Sequence, residues 1–436
     1  MIKSSLLVVL AGAAMSAAPA FAQNANLDKD RAYAAELVAD AGSRASLLQG
    51  GGGAGFDGSG FNISDGTGNN VLYIGGAAQF RYTMDFRDDE VNGDDEEANE
   101  DFTHGFSTPN TRIWTWGHIW SKDLTYKIQM HHNAESGWAL EDAWGEYAFD
   151  GGMAFRWGQF KLPILREENI DSEKQLLVDR SVVNHVFSQG YSQGIQMSYT
   201  TDSFRIVGAF SDGLGTGNTD FNSGAEADYA LTARVDFKVA GDSWNRFNDF
   251  TSWRSQDFAA LVGGAIHWQD GGETGGTSDV ETLRYTIDGS LEGAGWNVYA
   301  AFIGDSTEVG DSGDSDNFGT VLQGGIFVTD QVELFGRWDA LWLDEDTVAD
   351  GEDEDLHFLS AGMNYYISPE SHAVKFTAQV NWALNSSDSV FFAGSDGGTP
   401  DDSSDDIAGF GSTDNGYLGQ SEDGEFNIQL QMQVMF

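Results

Sequence analysis

Along residues 72–86 the side chains change character at every step. Leu72, Ile74, Gly76, Ala78, Phe80, Tyr82, Met84 and Phe86 occupy one parity, while Gln79, Arg81, Thr83 and Asp85 fall on the other. Successive side chains of a β-strand point to opposite faces of the sheet. The segment is therefore a strand with one apolar face carried to both ends. The last residues repeat the pattern, with Phe426, Ile428, Leu430, Met432, Val434 and Phe436 set against Asn427, Gln429, Gln431 and Gln433. Strands of a soluble β-sandwich also alternate but run to about five or six residues. A transmembrane strand needs about 9 to 11. The opposite faces here read as too polar to pack as a second core, so the apolar rows are assigned to lipid and the polar rows to a water-filled interior.

Alternating segments recur at 111–120, 124–132, 139–149, 153–161, 193–200, 203–211, 229–239, 258–268, 281–291, 296–303, 320–328, 331–343, 357–367 and 373–384, which with the two terminal strands makes sixteen. The fold class is all-β, a transmembrane antiparallel 16-stranded barrel over 61–436. Connections alternate in length, as a barrel with both termini on the short-turn side requires. The short ones fall at Lys122-Asp123, 150–152, Asp202, 292–295, Thr329-Asp330 and Pro369-Glu370. Residues 240–257 break the rule, being long where a short turn belongs; they hide a helix or the strand count is off by two. Pro109, Pro163, Pro369 and Pro400 all lie outside the strand interiors, as the missing N–H demands.

Ahead of the barrel, Lys3, the apolar run 6–15 and the triplet Ala20-Phe21-Ala22 read as a signal peptide over 1–22. It is too short to span a bilayer as a helix, which takes about 20 apolar residues. Residues 23–60 read as a short periplasmic helix over 27–48 followed by a Gly-rich tether at 50–53. The chain has no cysteine, so neither a disulfide framework nor a lipidated cysteine is expected.

The formal net charge is -47. The segments 88–101, 344–355 and 385–424 hold 9, 8 and 9 carboxylates and no Lys or Arg. These acidic outer loops read as solvated and mutually repelling; loose Ca²⁺ binding is a secondary reading, since no complete EF-hand spacing occurs. The scarce cations lie elsewhere. Arg81, Lys127, Arg156, Arg205, Arg234, Lys238, Arg284, Arg337 and Lys375 fall on the polar strand faces, and Lys161, Arg166, Lys174 and Arg180 cluster in one loop region. Asp85, Asp142, Glu146, Asp236, Asp288, Glu333 and Asp339 share the inner wall and are expected to pair with some of the arginines. Inward charge follows from lipid avoidance alone, at about 2 to 4 kcal/mol per midplane cation, so it indicates a pore without setting its selectivity.

Residues 140–166 (LEDAWGEYAFDGGMAFRWGQFKLPILR) and 176–199 (LLVDRSVVNHVFSQGYSQGIQMSY) resemble the phosphate-selective porin O and P family. The run Gly158 to Pro163 is the distinctive part, and weaker echoes at 207–213, 232–235, 335–340 and 362–367 extend the resemblance over most of 71–436. The resemblance implies a homotrimer of sixteen-stranded outer-membrane porins, each with a third loop folded into the barrel as a constriction. It makes Arg156, Lys161, Arg166 and Arg180 candidates for the narrow zone and Arg81, Arg112, Arg205, Arg234 and Arg337 candidates for an anion-gathering arginine ladder. Lys127 and Lys375 complete the set of expected pore-lining cations. The acidic mouth departs from the family's lysine-rich vestibule.

The expected function is passive diffusion of small hydrophilic solutes or ions across the bacterial outer membrane, with phosphate or other anions favoured by a basic constriction. The alternatives are a cation-preferring general porin governed by the acidic mouth, and a structural surface or cell-wall anchor with Ca²⁺-binding loops. An enzyme is not expected, because His131 and His132 close one strand with no serine or acid nearby that would complete a triad. No cofactor, metal or nucleic acid is expected. A plugged transporter with 22 strands needs a longer chain.

Overall fold

A strand with two unlike faces closes into a cylinder when every neighbour supplies the same pattern, because closure leaves no unpaired edge in lipid. The computed structural model describes residues 52–56, 60–86, 102–133, 137–221, 223–271, 280–309, 313–345, 348, 354–387 and 423–436. Sixteen strands form the wall: β1 (Val71–Phe86), β2 (Thr111–His118), β3 (Leu124–Asn133), β4 (Gly137–Ala148), β5 (Met153–Lys161), β6 (Tyr191–Thr200), β7 (Phe204–Ser211), β8 (Tyr229–Ala240), β9 (Ala259–Asp270), β10 (Val280–Gly293), β11 (Trp296–Val309), β12 (Gly313–Phe327), β13 (Val332–Trp342), β14 (Asp355–Tyr366), β15 (Val374–Ala383) and β16 (Phe426–Met435). Neighbours are antiparallel throughout. β16 returns to β1 with Phe426 opposite Phe86 and Met435 opposite Ala77, closing the sheet.

The alternation read from the sequence sorts as expected. Ile128, Ile195, Ile206, Leu231, Ile287 and Leu359 are exposed on the outer wall, whereas Gln429, Gln431 and Gln433 are buried within. No helix among the described residues is long and apolar enough to cross a membrane. All sixteen expected strands are present. The largest boundary error is in the hairpin β11–β12, which continues to Val309 and Gly313, well past the expected 303 and 320. Its tip carries Asp305, Glu308, Asp314 and Asp316, and a ladder that projects beyond lipid has water on both faces and needs no apolar row.

Two shorter strands, Gly53–Phe56 and Phe61–Ser64, precede the barrel, the first within the stretch read as a tether. A third, Phe102–Ser107, pairs with β1 from Arg81 to Phe86 and lies in a segment read as loop. The expected signal peptide and the helix at 27–48 fall outside the described residues, as do most of the three acidic loops. Residues 241–258 hold one short 3-10 helix, Trp244–Asn248, so the sixteen-strand count stands.

One expectation fails. The interior contains an apolar core, built from Leu162, Ile164, Leu165, Ile170, Leu176, Val183 and Phe187 of the segment after β5 against Tyr299, Ala301, Ile303, Val321, Phe335, Leu341, Leu356 and Phe358 of β11 to β14. These strands bury apolar side chains on the inner face while showing others, such as Phe302 and Leu322, outside.

Ile287 stands outward near the middle of β10 and is 59% exposed. Ile287→Arg is expected to lower barrel stability by about 2 to 4 kcal/mol. Urea titration in lipid vesicles, read by the heat-modifiable gel mobility of the folded barrel, measures it. An unchanged midpoint would mean that this row does not face hydrocarbon.

Candidate functional site in the barrel lumen

The distinctive run Gly158 to Pro163 sends the chain into the barrel. Gly158 has φ of 116°, and a Cβ there would collide with the Ala143 carbonyl oxygen, so glycine alone fits. Gln159 then donates to the carbonyls of Leu140 and Glu141 at 3.0 and 2.9 Å, Phe160 joins the inner core, and the Lys161 ammonium pairs with Glu168. Residues 162–190 form the third loop at the long-loop end, L3. It contains α1 (Arg166–Asn169), a 3-10 turn Ser172–Lys174 and α2 (Val182–Phe187). Ser181 caps α2 by accepting from the Asn184 amide at 2.9 Å, the ordinary role of a serine N-cap. Glu167 in turn accepts from the Ser181 amide and hydroxyl, each at 2.7 Å.

L3 has little regular structure, so its backbone must find partners on the wall. The wall supplies them. Arg234 donates to the Ile164 carbonyl at 2.8 Å, Arg337 to Asp179 at 2.9 Å and Arg284 to Phe187 at 2.9 Å. Lys375 donates to the Gln175 carbonyl at 3.0 Å, Asn364 to Leu176 at 2.9 Å and Gln433 to Glu173 at 3.1 Å. Arg81, fully buried, grips the Asp179 carboxylate with two bonds of 2.6 and 2.8 Å.

Of the eleven cations expected along the pore, ten lie within 4.0 Å of a carboxylate. Besides Arg81 and Lys161, Arg112 meets Glu141 at 2.8 Å, Lys127 meets Asp142 at 2.8 Å and Arg156 meets Glu146 at 2.9 Å. Arg166 lies 3.9 Å from Glu292, Arg180 3.3 Å from Glu168, Arg205 2.9 Å from Asp236, Arg234 2.7 Å from Asp288 and Arg337 2.9 Å from Asp339. Lys375 sits on backbone carbonyls instead. The expected pore-lining cations divide by exposure. The side chains of Lys127, Arg156 and Arg205 are 22, 26 and 32% exposed, and those of Arg81, Arg112, Arg166, Arg234 and Arg337 are 0 to 9%. Water therefore reaches the short-turn end of β3 to β7, where these three side chains lie, while further along the same strands Gln129, Gln159, Ser192 and Ser211 are buried and L3 covers the far side. Lys161 and Arg180 take an intermediate place, at 14 and 18%.

Glu141, Asp171 and Asp305 escaped the sequence reading. Glu141 turns inward beside the expected Asp142 because β4 slips register between its partners Ile128 and Met130; strict alternation would send one of the two outward. Asp171 and Lys174, 3.4 Å apart on L3, are the loop's most exposed charged pair toward the water. Arg284 joins Asp305 at 2.6 Å. Among the described residues no cluster of three or more His, Cys, Asp or Glu is arranged to hold a metal.

Glu168 shows how the loop is fastened. Burial alone would raise its carboxyl, but Arg180 and Lys161 beside it, with an Asn184 hydrogen bond at 2.8 Å, hold it down to about 2. A depressed carboxylate contributes stability that is complete above its unfolded value of about 4.3 and is lost as the pH falls toward its folded value. Protection of the α2 amides, relative to their intrinsic exchange rate at each pH, is thus expected to fall between about pH 4.5 and 2, with that of the outer-wall strands unaffected; protection independent of pH would remove Glu168 as an anchor. Arg81→Ala leaves the partly exposed Asp179 carboxylate without its guanidinium and is expected to cost about 1.5 to 3 kcal/mol, the usual worth of a hydrogen bond to a charged group. Limited proteolysis at L3 reads the loss, and wild-type resistance would contradict it.

Comparison with known proteins agrees with this geometry. Residues 78–262 match the family model of phosphate-selective porin O and P. No curated protein matches the chain. Among solved structures, the anion-selective porin from Comamonas acidovorans aligns with a TM-score of 0.56 at 11% identity, covering 84% of this chain and 99% of that one. The outer membrane protein OmpT of Vibrio cholerae, in its trimer form, gives 0.54 at 11%, covering 84% and 99%. The channel DcaP of Acinetobacter baumannii gives 0.52 at 10%, covering 88% and 100%. The closed sixteen-stranded barrel with its inner loop has the fold of these outer-membrane porins and channels, and residues 78–262 are similar to phosphate-selective porin O and P.

Proposed function

We propose that the barrel is a passive, non-catalytic channel for small hydrophilic solutes, which cross between L3 and the wall formed by β3 to β7 with little preference for either sign of charge. The observation that carries this reading is the pairing of charges on the wetted strip. Lys127 faces Asp142, Arg156 faces Glu146 and Arg205 faces Asp236, each within 3 Å. A passing ion meets dipoles rather than a net positive ring, and an unopposed ring is what favours anions. In this reading Lys127, Arg156 and Arg205 touch the solute, whereas Arg81, Arg112, Lys161, Arg166, Arg180, Arg234, Arg337 and Lys375 hold the loop.

Phosphate or other anion selectivity is the second reading. It is favoured by the family match and by the anion-selective porin among the similar structures, and within the strip by Arg156, whose guanidinium stacks 4.2 Å from the Trp144 ring and so presents its edge to water. Assembly as a homotrimer is proposed with it, since one similar structure is a trimer form.

A planar bilayer with a KCl gradient separates the readings. A reversal potential near zero is expected for the wild type. Glu146→Gln, which strips the counter-charge from Arg156, is expected to move the potential toward chloride. A strongly anion-selective wild type would replace the first reading with the second, and a null effect of Glu146→Gln would remove this pair from the path.

A further inference from the structure

The fourth turn, 241–258, is 18 residues long, whereas the other turns at that end run from two to seven. Its length is spent inside the barrel. Phe247 and Phe250 are buried, and the Phe250 ring lies 4.8 Å from Tyr299 within the same core that seats L3. The turn also bonds to L3 directly. Arg166 donates twice to the Phe247 carbonyl at 3.2 Å, and the Phe250 amide donates to the Lys174 carbonyl at 3.3 Å. Two plugs, one from each end, therefore meet in the lumen.

The ends of the turn are fixed to the wall: Trp244 donates to the Thr201 carbonyl at 2.8 Å, Ser252 to the Gly293 carbonyl, Arg254 to the Phe327 carbonyl at 2.8 Å, and the Gly295 amide to the Trp253 carbonyl at 3.2 Å. Arg246 reaches Glu292 at 3.0 Å, the Thr251 hydroxyl lies 3.1 Å from that of Tyr366, and Trp253 packs against Phe327, Tyr366 and His372. Asp249 stands between the others. Its carboxylate is 2.9 Å from Nε2 of His372, in the turn 367–373, and it feels the positive charge of Lys174 on L3. The first residue of the turn, Gly241, has φ of 112°, a conformation in which a chain reversal costs glycine little.

We propose that residues 245–251, between those fixed ends, are a lid latched by Asp249 to His372, and that the closed lid holds L3 in its seat. Release of the latch lets Phe250 leave Tyr299, frees the Lys174 carbonyl and widens the passage beside L3. The inference rests on the channel reading above.

Asp249→Asn and Asp249→Cys test it in single-channel recordings, where lid opening appears as jumps between two conductance levels. Loss of a charge-assisted bond shifts such an equilibrium by about tenfold or more, so both variants are expected to jump more often than the wild type by that order. The chain has no cysteine of its own, so the thiolate introduced by Asp249→Cys is unique. Cd²⁺ can then join that thiolate to the His372 imidazole, a pair of ligands that soft divalent metals accept. It is expected to return the Asp249→Cys channel to wild-type jump rates, reversibly with chelator, and to leave the double variant Asp249→Cys, His372→Ala unchanged. Folding of each variant is read by heat-modifiable mobility. Jump rates equal to wild type in the folded variants, or Cd²⁺ without effect on Asp249→Cys, would overturn the lid. Absence of conductance from every protein, wild type included, would remove the channel and the lid with it, whereas steady wild-type steps that the variants leave unaltered would remove the lid alone.

Discussion

A stretch of irregular chain inside a closed barrel has no sheet edge to join, and its backbone groups must be met by side chains from the wall. An unmet buried acceptor costs about 1 to 3 kcal/mol, and L3 carries many. The carbonyls of Ile164, Gln175, Leu176, Asp179 and Phe187 are met in turn by Arg234, Lys375, Asn364, Arg337 and Arg284. The inward arginines are long, multidentate donors whose reach suits this task. Each then needs a counter-charge in a site of low polarity, which is why Asp236 and Asp288 flank Arg234 and Asp339 lies against Arg337.

The apolar core fixes where the loop lies. Leu162, Ile164, Leu176, Val183 and Phe187 are all but fully buried against β11 to β14, and burying one such side chain contributes about 1.5 to 3 kcal/mol. The loop is thereby drawn to one half of the cylinder. The other half, from β3 to β7, keeps water and matched charge pairs at its short-turn end. Asymmetry of packing, rather than an excess of positive charge, shapes the passage.

The barrel was legible because lipid and the interior impose period two on the wall, as in residues 72–86, and sixteen such segments stand out. The inner core was less so. Residues 296–303 (WNVYAAFI) are apolar on both parities, which is the mark of a strand buried on two faces and is masked by the stronger outward row. The inward orientation of Arg81, Lys127, Arg156, Arg205, Arg234, Arg337 and Lys375 was visible from phase. Their partners were not, since the pairing of Arg81 with Asp179 spans 98 residues and depends on how L3 lies. The inward Asp142 was visible from phase, but Glu141 beside it needed a bulge that no local signal announces. In 241–258 the excess length was visible, yet its entry into the lumen comes from tertiary contacts of Phe250 and Asp249.

Thiol labelling of the assembled barrel tests the central claim, that water follows one side of the lumen. Ser198 on β6 and Ser360 on β14 both face inward; the first is partly exposed and the second buried at 6%. Ser198→Cys is expected to react rapidly with a charged, membrane-impermeant methanethiosulfonate, and Ser360→Cys to stay protected until the barrel is unfolded. Equal reactivity at the two positions would contradict a lumen filled on one side by L3.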